Sequence, residues 1–132
     1  MRVKEDGTVV DASPLLLGEV DEAFSWNIFG GDHVNPTLNA VAASDDALLV
    51  LTEKSLDEGA GGFNQSLTAN VFTNLWGTGA PTKTSAILSS AATSRPVVTS
   101  DGKDFFASWA EAGAVDSAVV SRISTSAAVT VV

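Results

Sequence analysis

Cysteine is absent from this chain of 132 residues, so neither a disulfide nor a thiolate metal site is available to it, although that leaves its compartment open. Histidine occurs once, at His33, which denies the chain the several imidazoles on which zinc sites commonly rest. Basic residues are also scarce, 7 against 16 acidic ones, for a formal net charge of −9. Arg2, Lys4, Lys54, Lys83, Arg95, Lys103 and Arg122 are scattered. Without a cluster to neutralise successive phosphates, neither nucleic acid nor an anionic membrane is an expected partner. No apolar run approaches the ~18–20 residues of a spanning helix, so no membrane insertion is expected. The start, Met1-Arg2-Val3-Lys4-Glu5-Asp6-Gly7, turns acidic and polar where a signal peptide would place its apolar region. An export signal is therefore expected to lie outside this chain.

Helical periodicity is equally rare. Glu19 to Phe29 places Val20, Phe24 and Ile28 four residues apart, with acids in the first turn and Gly30-Gly31 as a stop. That spacing predicts a turn or two of helix.

What remains is apolar and punctuated. A hydrophobic fraction of 45% and a mean hydropathy of +0.22 indicate a packed core of single-domain size. Short apolar or alternating runs are separated by Gly, Asp, Asn, Ser and Pro, which predicts an all-β chain of many short strands. Asp6-Gly7 and Asp101-Gly102 supply residues suited to tight turns.

The strands recur. Pro36 to Glu53 and Pro96 to Glu111 both read as Pro, a short strand, a Ser-Asp turn, two bulky apolar residues, a second strand and a closing Glu. Ala69-Asn70-Val71-Phe72 and Ser121-Arg122-Ile123-Ser124 follow in the corresponding places, and Arg2 to Val10 fits the same slot at the start. The chain divides accordingly into a half unit 1–18, an insertion 19–35, a unit 36–92 and a unit 93–132.

This order of features resembles the repeat of large bacterial secreted and surface β-propellers, which runs Pro-x-Val, Asp-Gly, Val-x-Trp-x-Asp/Glu and Arg-Val-x-x-Asp-Gly. Leu51 stands where that repeat has Trp, and Asp45-Asp46 where it has Asp-Gly. The resemblance implies inner strands at Pro36–Ala42 and Pro96–Thr99, and second strands at Ala47–Glu53 and Asp104–Glu111. It implies third strands at Ser66–Phe72 and Ser117–Ser124, and outer strands near Thr82–Leu88 and Ala127–Val132. Arg2–Lys4 and Thr8–Leu17 would be outer strands of the half unit. About two and a half four-stranded blades cannot close a ring of about four to eight. Other blades, or copies of the chain itself, are then the expected partners; a β-sandwich is the alternative fold. An extracellular or cell-surface location is implied by the same resemblance.

Function is expected on the loops. In the blade scheme Glu19–Asn35, Lys54–Gln65 and Ala112–Asp116 share one rim. Phe24, Trp26 and Phe29 with Phe63 offer an apolar or sugar-stacking surface for a protein or glycan; the competing reading is packing between blades or copies. His33, beside Asp32, is either a base or ligand, or a solvated loop histidine. Asp45-Asp46 and Asp101-x-x-Asp104 read as turn chemistry more readily than as a calcium loop. Glu53 and Glu111 suggest a carboxylate pair, but one acid per repeat points to a structural role. No cofactor or metal is expected. With no assembled nucleophile, base and orienter, the chain reads as a non-catalytic binding or assembly module. The rivals are a self-associating structural subunit and a fragment of a propeller hydrolase.

Overall fold

The structure, a computed structural model, describes residues 5–9, 33–57, 63–77, 79–91, 93–112, 115 and 117–132. Regular structure among them is entirely β. The strands are β1 (His33–Ala43), β2 (Leu48–Asp57), β3 (Phe63–Thr73), β4 (Thr82–Ser89), β5 (Thr93–Ser100), β6 (Phe105–Glu111), β7 (Ser117–Ile123) and β8 (Val129–Val131). They form two antiparallel four-stranded sheets, ordered β1-β2-β3-β4 and β5-β6-β7-β8. Each sheet is a meander, because connections this short return a strand only beside its predecessor. Two such sheets sharing one core meet the needs of either a pair of blades or a sandwich. The helix expected over 19–29 and the strands of the half unit lie outside the described residues. The Asp6-Gly7 turn is described: the Thr8 amide donates to Asp6 Oδ1 at 2.9 Å.

The first hairpin of each sheet closes in the same way. Ser44 N–H donates to the Ala47 carbonyl at 2.8 Å, and Asp101 N–H to the Asp104 carbonyl at 3.2 Å. The Asp101 carboxylate accepts the Lys103 and Asp104 amides at 2.9 and 2.8 Å. Gly102 sits at φ +95°, a region that costs any residue with a Cβ. Asp101 therefore has a conformational task in its turn, and Ser44, whose hydroxyl accepts the Ala47 amide at 3.2 Å, has it in the other.

Alternation then builds the core. Leu49 and Leu51 of β2 pair with Val71 and Ala69 of β3. Phe105 and Ala107 of β6 pair with Ile123 and Ser121 of β7. Leu49, Leu51, Leu67, Ala69 and Val71 join Phe105, Ala107, Trp109 and Ile123 in one buried cluster between the sheets. Removing large members from such a cluster leaves a cavity as well as losing transfer energy.

The two sheets meet in a definite sense. The first paired residue after the turn is Leu48 in one hairpin and Phe105 in the other. Both follow the same closing hydrogen bond, so backbone chirality sends their side chains to like-handed faces. Yet Phe105 faces the shared core, whereas in the first sheet Leu49 does and Leu48 does not. The front of one sheet thus lies against the back of the other.

That register corrects the sequence alignment. The ladder slips between Leu38 and Ala40 in β1, and between Ser94 and Val97 in β5. Matching the slips matches Ala40 to Val97, so Pro96 corresponds to Asn39 and not to Pro36. Pro96, with no N–H to pair, suits the slip itself. Glu53 and Glu111 likewise stand one row apart, five residues past Leu48 and six past Phe105.

Ser121 is fully buried, and its hydroxyl has no hydrogen-bond partner among the described residues. Ser121→Ala should raise stability by about 1 kcal/mol in urea unfolding, because it removes an unpaired buried polar group. Gly102→Ala should lower it by about 1–2 kcal/mol through the positive φ. The same unfolding curves measure both.

Candidate functional site

Of the residues singled out in the sequence, Phe24, Trp26 and Phe29 lie outside the described residues. His33 and Phe63 are not loop residues. His33 opens β1 opposite Asp57, and Phe63 opens β3 opposite the same Asp57. The expected loop spans 19–35 and 54–65 are corrected at these ends: 33–35, 54–57 and 63–65 are strand. A ladder continues while each strand finds a partner, so polar Lys54 and Ser55 extend β2 rather than ending it.

The row His33–Asp57–Phe63 crowns a three-stranded extension. β4 ends at Ser89, opposite Leu67, and β5 begins at Thr93, whose hydroxyl donates to Glu53 Oε1 at 3.4 Å. Beyond that level, among the described residues, β1, β2 and β3 are the strands that continue, from Lys54 to Asp57 on β2, roughly 13 Å at strand rise. Asp57 was not singled out in the sequence. Its place next to the acidic, glycine-rich sequence of residues 58–62 was the available signal.

Below this row, Glu53 of β2 and Glu111 of β6 reach the connection between the sheets. Glu111 accepts the Trp109 indole N–H at 3.0 Å and the Ser89 hydroxyl. Bonds from Ser89 and then Trp109 stabilise the charged form and hold the Glu111 carboxyl below its ordinary pKa, against a smaller effect of burial. Glu53 receives Thr93 from the neighbouring sheet. The paired glutamates therefore bind the hydroxyls at either end of the crossover 89–93.

At the opposite end of the sheets the turns touch. Asp45 N–H donates to the Gly102 carbonyl at 3.0 Å. Arg122 Nε donates to Asp104 Oδ2 at 2.9 Å, and its Nη2 reaches the same oxygen. The bond and charge of Asp104 hold the guanidinium more firmly protonated than usual. The Asp104 and Lys103 amides hold the Asp101 carboxyl below its ordinary pKa. Among the described residues no group of three His, Cys, Asp or Glu side chains is placed to hold a metal.

Comparison of the chain with protein-family models, with curated proteins and with solved structures yields no match.

Both lowered carboxyls bind fewer protons folded than unfolded. Their contribution is present above the ordinary carboxylate pKa of about 4 and is lost as pH falls through their lower folded values. Urea midpoints should therefore fall as pH drops below about 4. A double variant, Asp101→Asn with Glu111→Gln, should fall less steeply. Parallel slopes for the two proteins would remove these groups from the acid response.

Proposed function

We propose that this chain is a non-catalytic binding or assembly module made of blades of the β-propeller type, carried by a secreted or surface-exposed bacterial protein. A rotational repeat sets the front of each unit against the back of the next. The front-to-back contact of the two sheets and the matching slips in β1 and β5 support that arrangement over a sandwich. The surface location follows from the sequence resemblance.

The observation that carries the binding role is the strand row that sets His33 and Phe63 on either side of Asp57. An aromatic, an acidic and an imidazole residue type in one row of a ladder is a combination suited to a protein or glycan partner. The glutamates that would tempt a hydrolytic reading accept hydroxyls at the ends of the crossover and, for Glu111, the indole of Trp109 on the same strand, which supports a structural role for them.

Trp26→Ala and Phe63→Ala should each abolish capture on a panel of immobilised polysaccharides while changing stability by no more than about 1 kcal/mol. A loss of stability several times larger, with capture retained by the folded fraction, would assign these aromatics to packing instead.

A further inference from the structure

Two sheets have four faces, and three of them are covered. Two meet in the shared core. The outward face of the first sheet is buried at its centre, where Val50, Asn70 and Phe72 are 8%, 7% and 3% exposed. The outward face of the second sheet is open. Val97 and Val120 stand on it 59% and 41% exposed, and exposed Val132 donates its amide to the Val120 carbonyl at 2.9 Å. Ser108 lies between Val97 and Val120 in the same row, and half-buried Phe106 in the next. These positions are of the kind that receive another sheet. Matching the strands by their slips pairs Ala40 with Val97, Leu51 with Ser108 and Ala69 with Val120. Ala40, Leu51 and Ala69 belong to the contact in which the first sheet receives the second.

Charge placement suits the meeting of two acidic molecules. The rows Val97–Ser108–Val120, Thr99–Phe106–Arg122–Thr130 and Ala110–Ala118 carry no acid, in a chain of net charge −9. The cation in these rows, Arg122, donates to Asp104 and has its charge met there. Depletion of charge marks the centre of an interface against ordinary surface. A face without unpaired charge also lets two copies touch without setting like charges together.

We infer that two copies of this chain pair through the outward faces of their β5–β8 sheets, with Val97 and Val120 of each lying against the same face of the other. Among the described strands a second copy has this one uncovered sheet face to offer, because the other three are covered in it too. The contact is therefore isologous, and it closes at a dimer instead of propagating. Four strands over the stretch from Ala118 to Arg122 give roughly 300 Å² of flat sheet per copy at strand spacing and rise. That is at the small end for a specific contact, and Ser108 stands where the internal contact has Leu51, so the dimer is weak and reversible. The pairing goes beyond the proposed function: it does not depend on the blade reading, and the His33–Asp57–Phe63 row belongs to the other sheet.

Sedimentation velocity across a wide concentration range tests this. The chain should pass reversibly from 13.5 kDa to twice that mass and no further. Raised salt should favour the dimer, because it screens the repulsion between acidic copies. Val120→Glu should weaken pairing by at least about tenfold, with circular dichroism and thermal midpoint unchanged. Val97→Glu takes its place as the probe of this face should Val120→Glu misfold. Ile87→Glu, at an exposed position of the first sheet, should leave pairing as it is. A monomer at every concentration overturns the inference and leaves the face to a partner other than a second copy. Growth beyond the dimer overturns it too, and so does pairing indifferent to Val120→Glu or lost with Ile87→Glu. A dimer that raised salt weakens is held by charge, which is equally fatal to a contact between neutral faces.

Discussion

Everything described in this molecule depends on one apolar layer, in which Leu49, Leu51, Ala69 and Val71 of one sheet meet Phe105, Ala107, Trp109 and Ile123 of the other. A four-stranded meander alone has two faces and too little covered surface to stand in water. Burying one face of each solves that problem for both sheets together. With no disulfide available, the layer and its hydrogen-bonded ends are what hold the sheets in place. Close approach is made possible by small residues: Ala40 and Ala42 pack against the layer from β1.

Polar groups at the two ends of the layer fix its alignment. At one end, Asp45 and Gly102 join the hairpin tips through the backbone. At the other, Glu53 reaches Thr93 and Glu111 reaches Ser89, so each sheet's glutamate binds a hydroxyl flanking the crossover. Apolar contact is indifferent to small slides, whereas these bonds are directional and lock the register. A chain this acidic can keep its carboxylates at turns and ends because there they accept amides, hydroxyls and a guanidinium instead of repelling one another.

Much of this was legible without coordinates. Apolar and alternating runs marked β2, β3, β6 and β7, the resemblance placed the remaining strands to within a few residues, and Asp101-Gly102 marked its turn because few residues tolerate that backbone. The ends of β2 and β3 were missed since Lys54, Ser55, Asn64 and Gln65 carry no apolar signal, and partner strands supplied the reason for them to extend. The nominated site was legible in composition only. That His33 would stand opposite Asp57 depended on ladder pairing between strands, β1 and β2, whose ends are well apart in sequence, which local patterns do not encode.

The sequence by itself determined an all-β chain with acidic turns and no disulfide. These follow from residue chemistry and from spacing within a few neighbours. Only the tertiary structure decided which face of each sheet is buried, because a single-residue slip in β1 or β5 reverses the sides that residues occupy. The same slips decided that Pro96 matches Asn39, that the glutamates stand one row apart, and that the sheets meet front to back. Side-chain direction is a property of the paired ladder, and the ladder exists only once distant strands have met.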